Sequence, residues 1–304
     1  FIVGRCLWLA AGARDGYSRI LAGAMAMTFS VYVIVNGGMV AGLLPVVGVP
    51  MPLLSYGGTA AVSLLAGHDE EAGGTWLGLS PQGRVAMLTN VRSVQIGSGQ
   101  RSRGELATRW LHGGLSWEAL LDELDPAAYG GFNLVVGDFH NQFWAWAGNR
   151  DPERPHDEHP IGLHSRRLEA GVYGLSNAAL DTPWPKSERL KQALGECLAQ
   201  PASSPLPITR LTAALADTRR VPTHVLPDTG VPPELEHGLS SPFVSLPERG
   251  YGTRSSLVLS VQTSETRAAP AGWRVAVDEW THIPVDGHAH AWTPHSRRSE
   301  TLCG

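Results

Sequence analysis

"LLAGHDEEAGGTWLG", residues 64–78, reads as two kinds of protein joined in one phrase. Behind it, from Ile20 to Gly67, there is no Asp, Glu, Lys, Arg or His. Ahead of it, His68 to Glu71 is titratable at every position, and the chain then enters "GTWLGLSPQGRVAMLTN", residues 74–90. A surface helix of a soluble protein repeats a polar face every turn or two, so a run this long without charge reads as membrane-type. The later stretch reads as strand, Ser-Pro-Gln-Gly turn, strand. The expected division is therefore a membrane segment over residues 1–67 and a mixed α+β domain over residues 68–304.

The totals alone conceal this division. The 304 residues carry a formal charge of −4, with a pI near 6.3 and a mean hydropathy of −0.07. A mildly acidic chain gives no electrostatic case for nucleic acid, which calls for a basic patch or stripe. Cys6, Cys197 and Cys303 are far apart and include no C-x-x-C, so neither a disulfide framework nor a structural zinc site is indicated. No phosphate-binding loop, dinucleotide fingerprint or internal repeat is present. No cofactor is expected.

Ile20 to Gly42 is long enough for one membrane-spanning helix, at about 1.5 Å per residue and roughly 30 Å in all. Arg5, Arg14 and Arg19 precede it and no cation follows before Gly67, which puts the Arg14–Arg19 loop in the cytoplasm and the Pro45–Tyr56 loop outside. Phe1–Ala11 is apolar but too short to span, and reads as the end of a helix that began earlier. Pro45, Pro50 and Pro52 break any helix. Their loop is either an apolar connection or a re-entrant, substrate-facing one. From Leu53 to Gly67 a helix reaches only about 22 Å before the acidic residues arrive, so this last span reads as cut short.

"ARDGYSRILAGAMAMTFSVYVIVNGGMVAGLLPVVGVPMPLLSYGGTAAVSLLAG", residues 13–67, resembles the C-terminal end of the RodA/FtsW proteins, the shape, elongation, division and sporulation family of peptidoglycan glycosyltransferases. The resemblance implies that Pro50, Pro52, Ser55, Tyr56, Gly57 and Gly58 belong to the outward-facing loop before the last helix. That family's catalytic aspartate lies in an earlier loop with no counterpart here. It also implies the lipid bilayer as partner through residues 20–67, and a bacterial inner-membrane location with residues 68–304 on the cytoplasmic side.

Further along, Ser102 and Glu105 have capping-box spacing ahead of Leu106, Trp110 and Leu111, and Ser116 is placed to cap a helix carrying Leu120, Leu121 and Leu124 inward. "FNLVVGDFHNQFWAWAG" reads as a hairpin. "SERLKQALGECLAQ" sets Leu190, Leu194, Cys197 and Leu198 on one helix face, which makes Cys197 a core thiol rather than a nucleophile. "RSSLVLSVQT" and "GWRVAVDEWT" read as late strands. Trp76 and Trp184 read as core.

"LAGHDEEAGGTWLG", "LTNVR", "SRGEL", "GFNLVVGD", "GNRDPERP", "YGLSNAALDTPWPK", "LPDTG" and "YGTRSS" occur in order and resemble the NRDE family, also called transport and Golgi organisation proteins. The resemblance implies a four-layer αββα sandwich of the N-terminal-nucleophile (Ntn) hydrolase type, here incomplete. In such folds a leading cysteine supplies the thiolate and its own α-amine the base. No such cysteine, and no Asn-Arg-Asp-Glu segment, precedes His68, so the domain is expected to lack hydrolase competence and a central strand, leaving an unpaired sheet edge. Asn90 and Asn177 match positions near the family's pocket, as amide donors, and Arg254 matches a basic pocket residue. Strand-end hydrogen bonding for the asparagines and an ordinary ion pair for Arg254 stay open as alternatives. A small-molecule ligand, an acyl compound or haem, is implied by the resemblance alone.

After about Val261 the family pattern is lost. His282, His288, His290 and His295, with Asp278 and Asp286, form no closed ligand set, so no metal site is assigned and the segment reads as a solvated tail. Three functional readings compete: an NRDE-type domain without catalysis, a membrane component of peptidoglycan polymerisation, and a membrane-tethered binding remnant. The chain as a whole reads as a chimera of two truncated pieces, made by gene rearrangement or by a join in sequence assembly.

Overall fold

The computed structural model describes residues 65–68, 74–93, 97, 99–157, 161–200, 207–264, 272–282 and 294–303. The expected span Ile20–Gly42 and the loop residues Pro50, Pro52, Ser55, Tyr56, Gly57 and Gly58 lie outside them. Among the described residues no helix is long and apolar enough to cross a membrane.

Six strands form an antiparallel meander in chain order: β1 (Leu65–His68), β2 (Thr75–Leu79), β3 (Arg84–Asn90), β4 (Phe132–Asp138), β5 (Phe143–Arg150) and β6 (Ile161–Arg167). The β2–β3 turn falls where the Ser-Pro-Gln-Gly stretch predicts it. Ser80 N–H donates to Arg84 O at 2.8 Å and Gly83 N–H to Ser80 O at 3.0 Å. Gly83 holds φ +73°, a region that suits a residue without Cβ. The expected hairpin of residues 132–148 is β4–β5, paired from Asn133↔Gly148 to Asp138↔Phe143.

The two sides of this sheet are covered differently, and the pleat sorts the residues. Ala86, Phe132, Leu134, Val136, Ala145 and Ala147 face one cluster, with helices α1 (Gly104–Leu111) and α2 (Trp117–Asp122) as its lid. Neighbouring Val85 turns the other way, joining Leu79 and Phe139 against Trp273, Val275 and Val277. Those last three lie on β10 (Gly272–His282), the middle strand of a second antiparallel sheet between β9 (Ser255–Ser264) and β11 (Pro294–Cys303). β4 is buried at all seven positions because it is central and covered on both faces. Helices α3 (Pro185–Leu198) and α4 (Ile208–Leu215) pack on each other, and α4 contacts β9. A short helix α5 (Pro233–Gly238) and the two-residue strands β7 (Ser245–Leu246) and β8 (Tyr251–Gly252) precede the second sheet.

Several expectations change. Leu65–Gly67, read as the end of a membrane span, runs with His68 as β1 and pairs with β2 from Leu65↔Leu79 to His68↔Thr75, with an irregularity between Gly67 and His68. A short apolar run does not distinguish helix from strand, and here the outer backbone of β2 gives it partners. Among the described residues β1 is thus an edge strand of the sheet, beside β2. The segment read as a solvated tail contains β11, which pairs with β10 from Arg274↔Cys303 to His282↔Pro294. His288, His290 and Asp286 lie outside the described residues. His282 is a buried residue whose Nε2 meets Ser256 Oγ at 3.1 Å. The capping box is absent from α1: its N-cap is Arg103, whose side chain makes no capping bond, and Glu105 N–H reaches the Ser102 carbonyl at 3.3 Å. Ser116 does cap α2, its Oγ accepting from Ala119 N–H at 3.1 Å. On α3 Cys197 is buried as expected, whereas Leu198 is 56 % exposed because it closes the last turn beyond the packed face.

Candidate functional site

A cavity of about 670 Å³ opens beside the C-terminal end of β3, bordered by the start of β2, the loop 99–103 and the segment carrying Asn177. That volume lies in the range of small-molecule pockets. Its shape depends on close backbone approach. Gly74 (φ +86°) sits where a Cβ would lie 2.5 Å from the Gly104 carbonyl carbon, and Gly99 (φ +81°) where one would lie 2.3 Å from Gly130 N. Side chains at either position would push apart the segments that frame the opening.

Asn90 and Asn177 both line this cavity and touch each other. Asn177 Nδ2 donates to Asn90 Oδ1 at 2.8 Å and to the Asn90 carbonyl at 3.1 Å. Asn177 is held because its whole segment is sewn to the first sheet. Thr89 Oγ1 donates to Ser176 O at 2.9 Å, Arg92 N–H to Asn177 O at 2.7 Å, and buried Asn133 Nδ2 to Ala178 O at 2.6 Å. Trp146 Nε1 donates to Asn133 Oδ1 at 3.1 Å, which completes that amide.

Arg254 is not part of the constellation. It is exposed at the head of β9 and its carbonyl accepts from His282 N–H at 2.8 Å, so it borders the second sheet instead. Trp76, expected in the core, is 51 % exposed and lines the cavity: it shares the sheet face of Gly78 and Ala86 but stands near the start of β2, at the cavity rim. Trp184 is buried as expected. Asn149, in "GNRDPERP", is structural: its Oδ1 accepts from Phe132 N–H at 2.9 Å and its Nδ2 faces the carbonyls of Pro126, Tyr129 and Gly130.

Sequence reasoning missed the cations. Arg101 and Arg103 line the cavity. Arg101 pairs with Glu105 at 2.6 Å, and Arg103 donates to Gly131 O at 3.2 Å. Glu105 also accepts a hydrogen bond from the Tyr129 hydroxyl. Burial, then the Glu105 hydrogen bond and charge, push Tyr129 up to about 12. Arg92 was overlooked too, although "LTNVR" displays it. Its Nη1 pairs with buried Glu236 Oε2 at 2.7 Å and its Nη2 reaches Asn177 Oδ1 at 3.4 Å. Glu236 in turn accepts the Thr229 hydroxyl. Nothing in "PPELEHG" marks Glu236 as buried.

Behind this pair, Trp184 collects charge. The Arg92 guanidinium lies 5.0 Å and Lys186 Nζ 5.4 Å from its ring centroid. Lys186 Nζ also donates to Leu239 O at 3.2 Å. Burial, and then the neighbouring Arg92 charge, bring Lys186 down to about 8, with Glu236 opposing. The His156 ring stacks on Trp184 at 6.0 Å, and its Nδ1 meets Arg92 O at 2.7 Å. Because that carbonyl can only accept, Nδ1 carries the proton. Burial lowers the His156 pKa from its usual value.

These features define a mixed α+β domain of two facing antiparallel sheets with a ligand-sized cavity at one strand end. Residues 58–269 match the family described as Transport and Golgi organisation 2, and the chain belongs to that family. Residues 1–68 match a second family, described as Cell cycle protein, so the chain has a two-family composition, and the matches overlap over residues 58–68, which end with β1. The transport and Golgi organization protein 2 homolog of Homo sapiens is 34 % identical over 212 residues, 65 % of this chain and 72 % of that protein. The Mus musculus homolog is 31 % identical over 229 residues, 71 % and 78 % of the two chains. The peptidoglycan glycosyltransferase MrdB of Escherichia coli strain K12 is 53 % identical over 66 residues, 22 % of this chain but 18 % of that protein.

Proposed function

We propose that this chain binds the oxygen-bearing head of a small acyl compound in the cavity beside Asn90 and Asn177, and does not hydrolyse it. The amide pair at the wall of a 670 Å³ cavity is the observation that carries this reading. Arg101 and Arg103 supply positive charge at the same wall, and Trp76 and Leu88 supply apolar surface for a tail. Haem fits less well: among the described residues the cavity lining holds no His, Cys, Met or Tyr to ligate its iron. Cys197, the free thiol among the described residues whose side chains are placed, is buried on α3 and does not line the cavity. The helix-covered first sheet facing a second sheet, with α4 against β9, supports an Ntn-type αββα arrangement for the domain. Arg254, outside the cavity, is not given a role in it.

The test is a titration of the full chain with decanoyl-glycine, read by tryptophan fluorescence and by product release. Saturable binding that Asn177→Leu weakens, with no free decanoate formed, is the expected outcome. Turnover that disappears in Cys197→Ala would show that the chemistry had been misplaced.

The match of residues 1–68 favours a second reading, in which this segment is a membrane piece related to rod-shape and cell-division peptidoglycan polymerases. On this reading residues 20–64 contact the bilayer of a bacterial inner membrane, the domain that begins with β1 faces the cytoplasm, and Pro50, Pro52, Ser55, Tyr56, Gly57 and Gly58 form the outer loop. Sedimentation of the full chain with membranes is expected; full recovery without detergent in a high-speed supernatant would reject it.

A further inference from the structure

We propose that Glu236, acting through Arg92, is a positioning residue that holds the Asn177–Asn90 amide pair in one polarity, so that Asn90 offers its Nδ2 to an oxygen atom of the ligand. The inference rests on the reading of the cavity as a ligand site and adds what sets its donor.

A carboxamide can be turned over at little steric cost, exchanging donor for acceptor, so its polarity has to be fixed by its partners. Asn177 is fixed from both sides. One of its terminal atoms lies 3.1 Å from the Asn90 main-chain carbonyl, which only accepts, so that atom is nitrogen. Its other terminal atom faces the Arg92 guanidinium at 3.4 Å, which only donates, so that atom is oxygen. The Ser176 hydroxyl also approaches this oxygen, at 3.5 Å. The consequence passes to Asn90. Its side-chain atom 2.8 Å from Asn177 Nδ2 must accept and is therefore Oδ1. What remains on Asn90, an exposed residue of the cavity lining, is the NH₂ group.

Arg92 is itself held. It stands between Asn177 and Glu236, and the ion pair at 2.7 Å has side chains only 13 % and 4 % exposed. Thr229 binds the second oxygen of Glu236, and the Trp184 ring lies under the guanidinium. The planar fork of an arginine reaches a carboxylate and an amide oxygen at once, which a lysine ammonium cannot do in the same geometry. The line thus reaches the cavity from Glu236 on α5 with the donor fixed at each link: Thr229 and Arg92 both donate to Glu236, Arg92 donates also to Asn177, and Asn177 to Asn90. An acyl carbonyl or carboxylate is the ligand chemistry that such a donor wall takes, and a ligand presenting an ammonium is refused.

The experiment uses the full chain labelled at asparagine side-chain amides, with sodium octanoate as probe and octylamine as a control of equal tail length. In the unaltered protein octanoate is expected to move the Asn90 amide signal and octylamine to leave it in place. Arg92→Lys keeps a cation opposite Glu236 but loses the second arm. It is expected to shift the Asn177 amide signals toward those of free asparagine and to weaken octanoate binding about tenfold, the scale of one hydrogen bond. Glu236→Gln keeps shape and the Thr229 contact, and is expected to weaken binding in the same direction by less. Unchanged Asn177 signals in both variants overturn the positioning role, whatever octanoate does. If octanoate leaves Asn90 unmoved in the unaltered protein while Arg92→Lys still shifts Asn177, positioning stands and the ligand-site reading is the part that fails.

Discussion

The layer under α1 and α2 is buried, the seam at the end of β3 runs from buried Glu236 to exposed Asn90, and the two are held by different physics. Under the helices lie Trp110, Trp117, Tyr129, Phe132 and Leu134, each at most 8 % exposed. Their contacts are many, weak and without direction, and almost any apolar group of the right volume serves. At the seam, Asn90, Arg92, Asn177 and Glu236 make a handful of directional bonds, and each member leaves an unpaired charge or amide if its neighbour is lost. The apolar layer gives the domain stability. The seam gives the cavity a fixed chemical polarity.

The largest effect is expected in the apolar layer. Phe132 is fully buried, edge-on to Tyr129 at 6.0 Å. Phe132→Ala should lower the unfolding free energy by about 3–5 kcal/mol, read from the urea midpoint. A loss under about 1 kcal/mol would mean that the layer is loosely packed and the contrast with the seam overdrawn.

The seam should respond next, and in a different pattern. Glu236→Ala leaves Arg92 buried beside Lys186 without a counter-charge, and should cost about 3 kcal/mol. Removing both charges, as Arg92→Met with Glu236→Leu, should cost less than Glu236→Ala alone, because apolar replacement of a buried pair is often near neutral. If the double variant is the less stable of the two, the pair contributes net stability as well as direction.

The same seam predicts a pH dependence. Lys186 faces Arg92 from the segment after β3, Glu236 from α5 and, across Trp184, His156. Its folded pKa, about 8, lies below its ordinary value of 10.5. Between those values the unfolded chain holds more protons than the folded one, so stability rises with pH across that window and its deficit is full below it. Lys186→Met should flatten this rise, measured as the difference in unfolding free energy between pH 7 and pH 10. An unchanged slope would show that the amine is solvated in the folded state.

How much of this was legible follows from the same contrast. The hairpins, the two late strands and the buried face of α2 are written in periods of two and about four residues, so nearby letters suffice. The Asn90–Asn177 contact spans 87 residues, and Arg92–Glu236 spans 144. No local period encodes such pairs, and only the resemblance of "LTN" and "LSN" to family positions brought the asparagines forward. Arg254 was carried over by the same route and lies elsewhere, since matching a motif fixes a backbone position and not the direction of its side chain. β1 was unreadable for another reason: its first three residues end a charge-free run, and such residues look alike whether they enter a lipid or a sheet.

The smallest expected effect tests the most local reading. Two serines precede helices with similar promise in sequence, Ser102 and Ser116. Only Ser116 takes the extended conformation of an N-cap, at φ −72° and ψ 168°, with its Oγ accepting from Ala119 N–H. Ahead of α1 the cap position falls on Arg103 in helical geometry, and Glu105 is engaged with Arg101 and Tyr129 instead of returning to a serine. A capping hydroxyl satisfies one of the unpaired N–H groups of a first turn, and its loss typically costs about 1 kcal/mol. Ser116→Ala should therefore destabilise the domain by that amount and speed hydrogen exchange at Ala119 more than at Leu120, whose N–H still reaches the residue 116 carbonyl at 3.0 Å. Ser116→Asp should restore both, since its carboxylate can accept the same bond beside the positive end of the helix. Equal exchange at the two amides in Ser116→Ala would mean that the first turn frays as a unit, and that α2 is held by Trp117 and Leu120 in the apolar layer rather than by its cap.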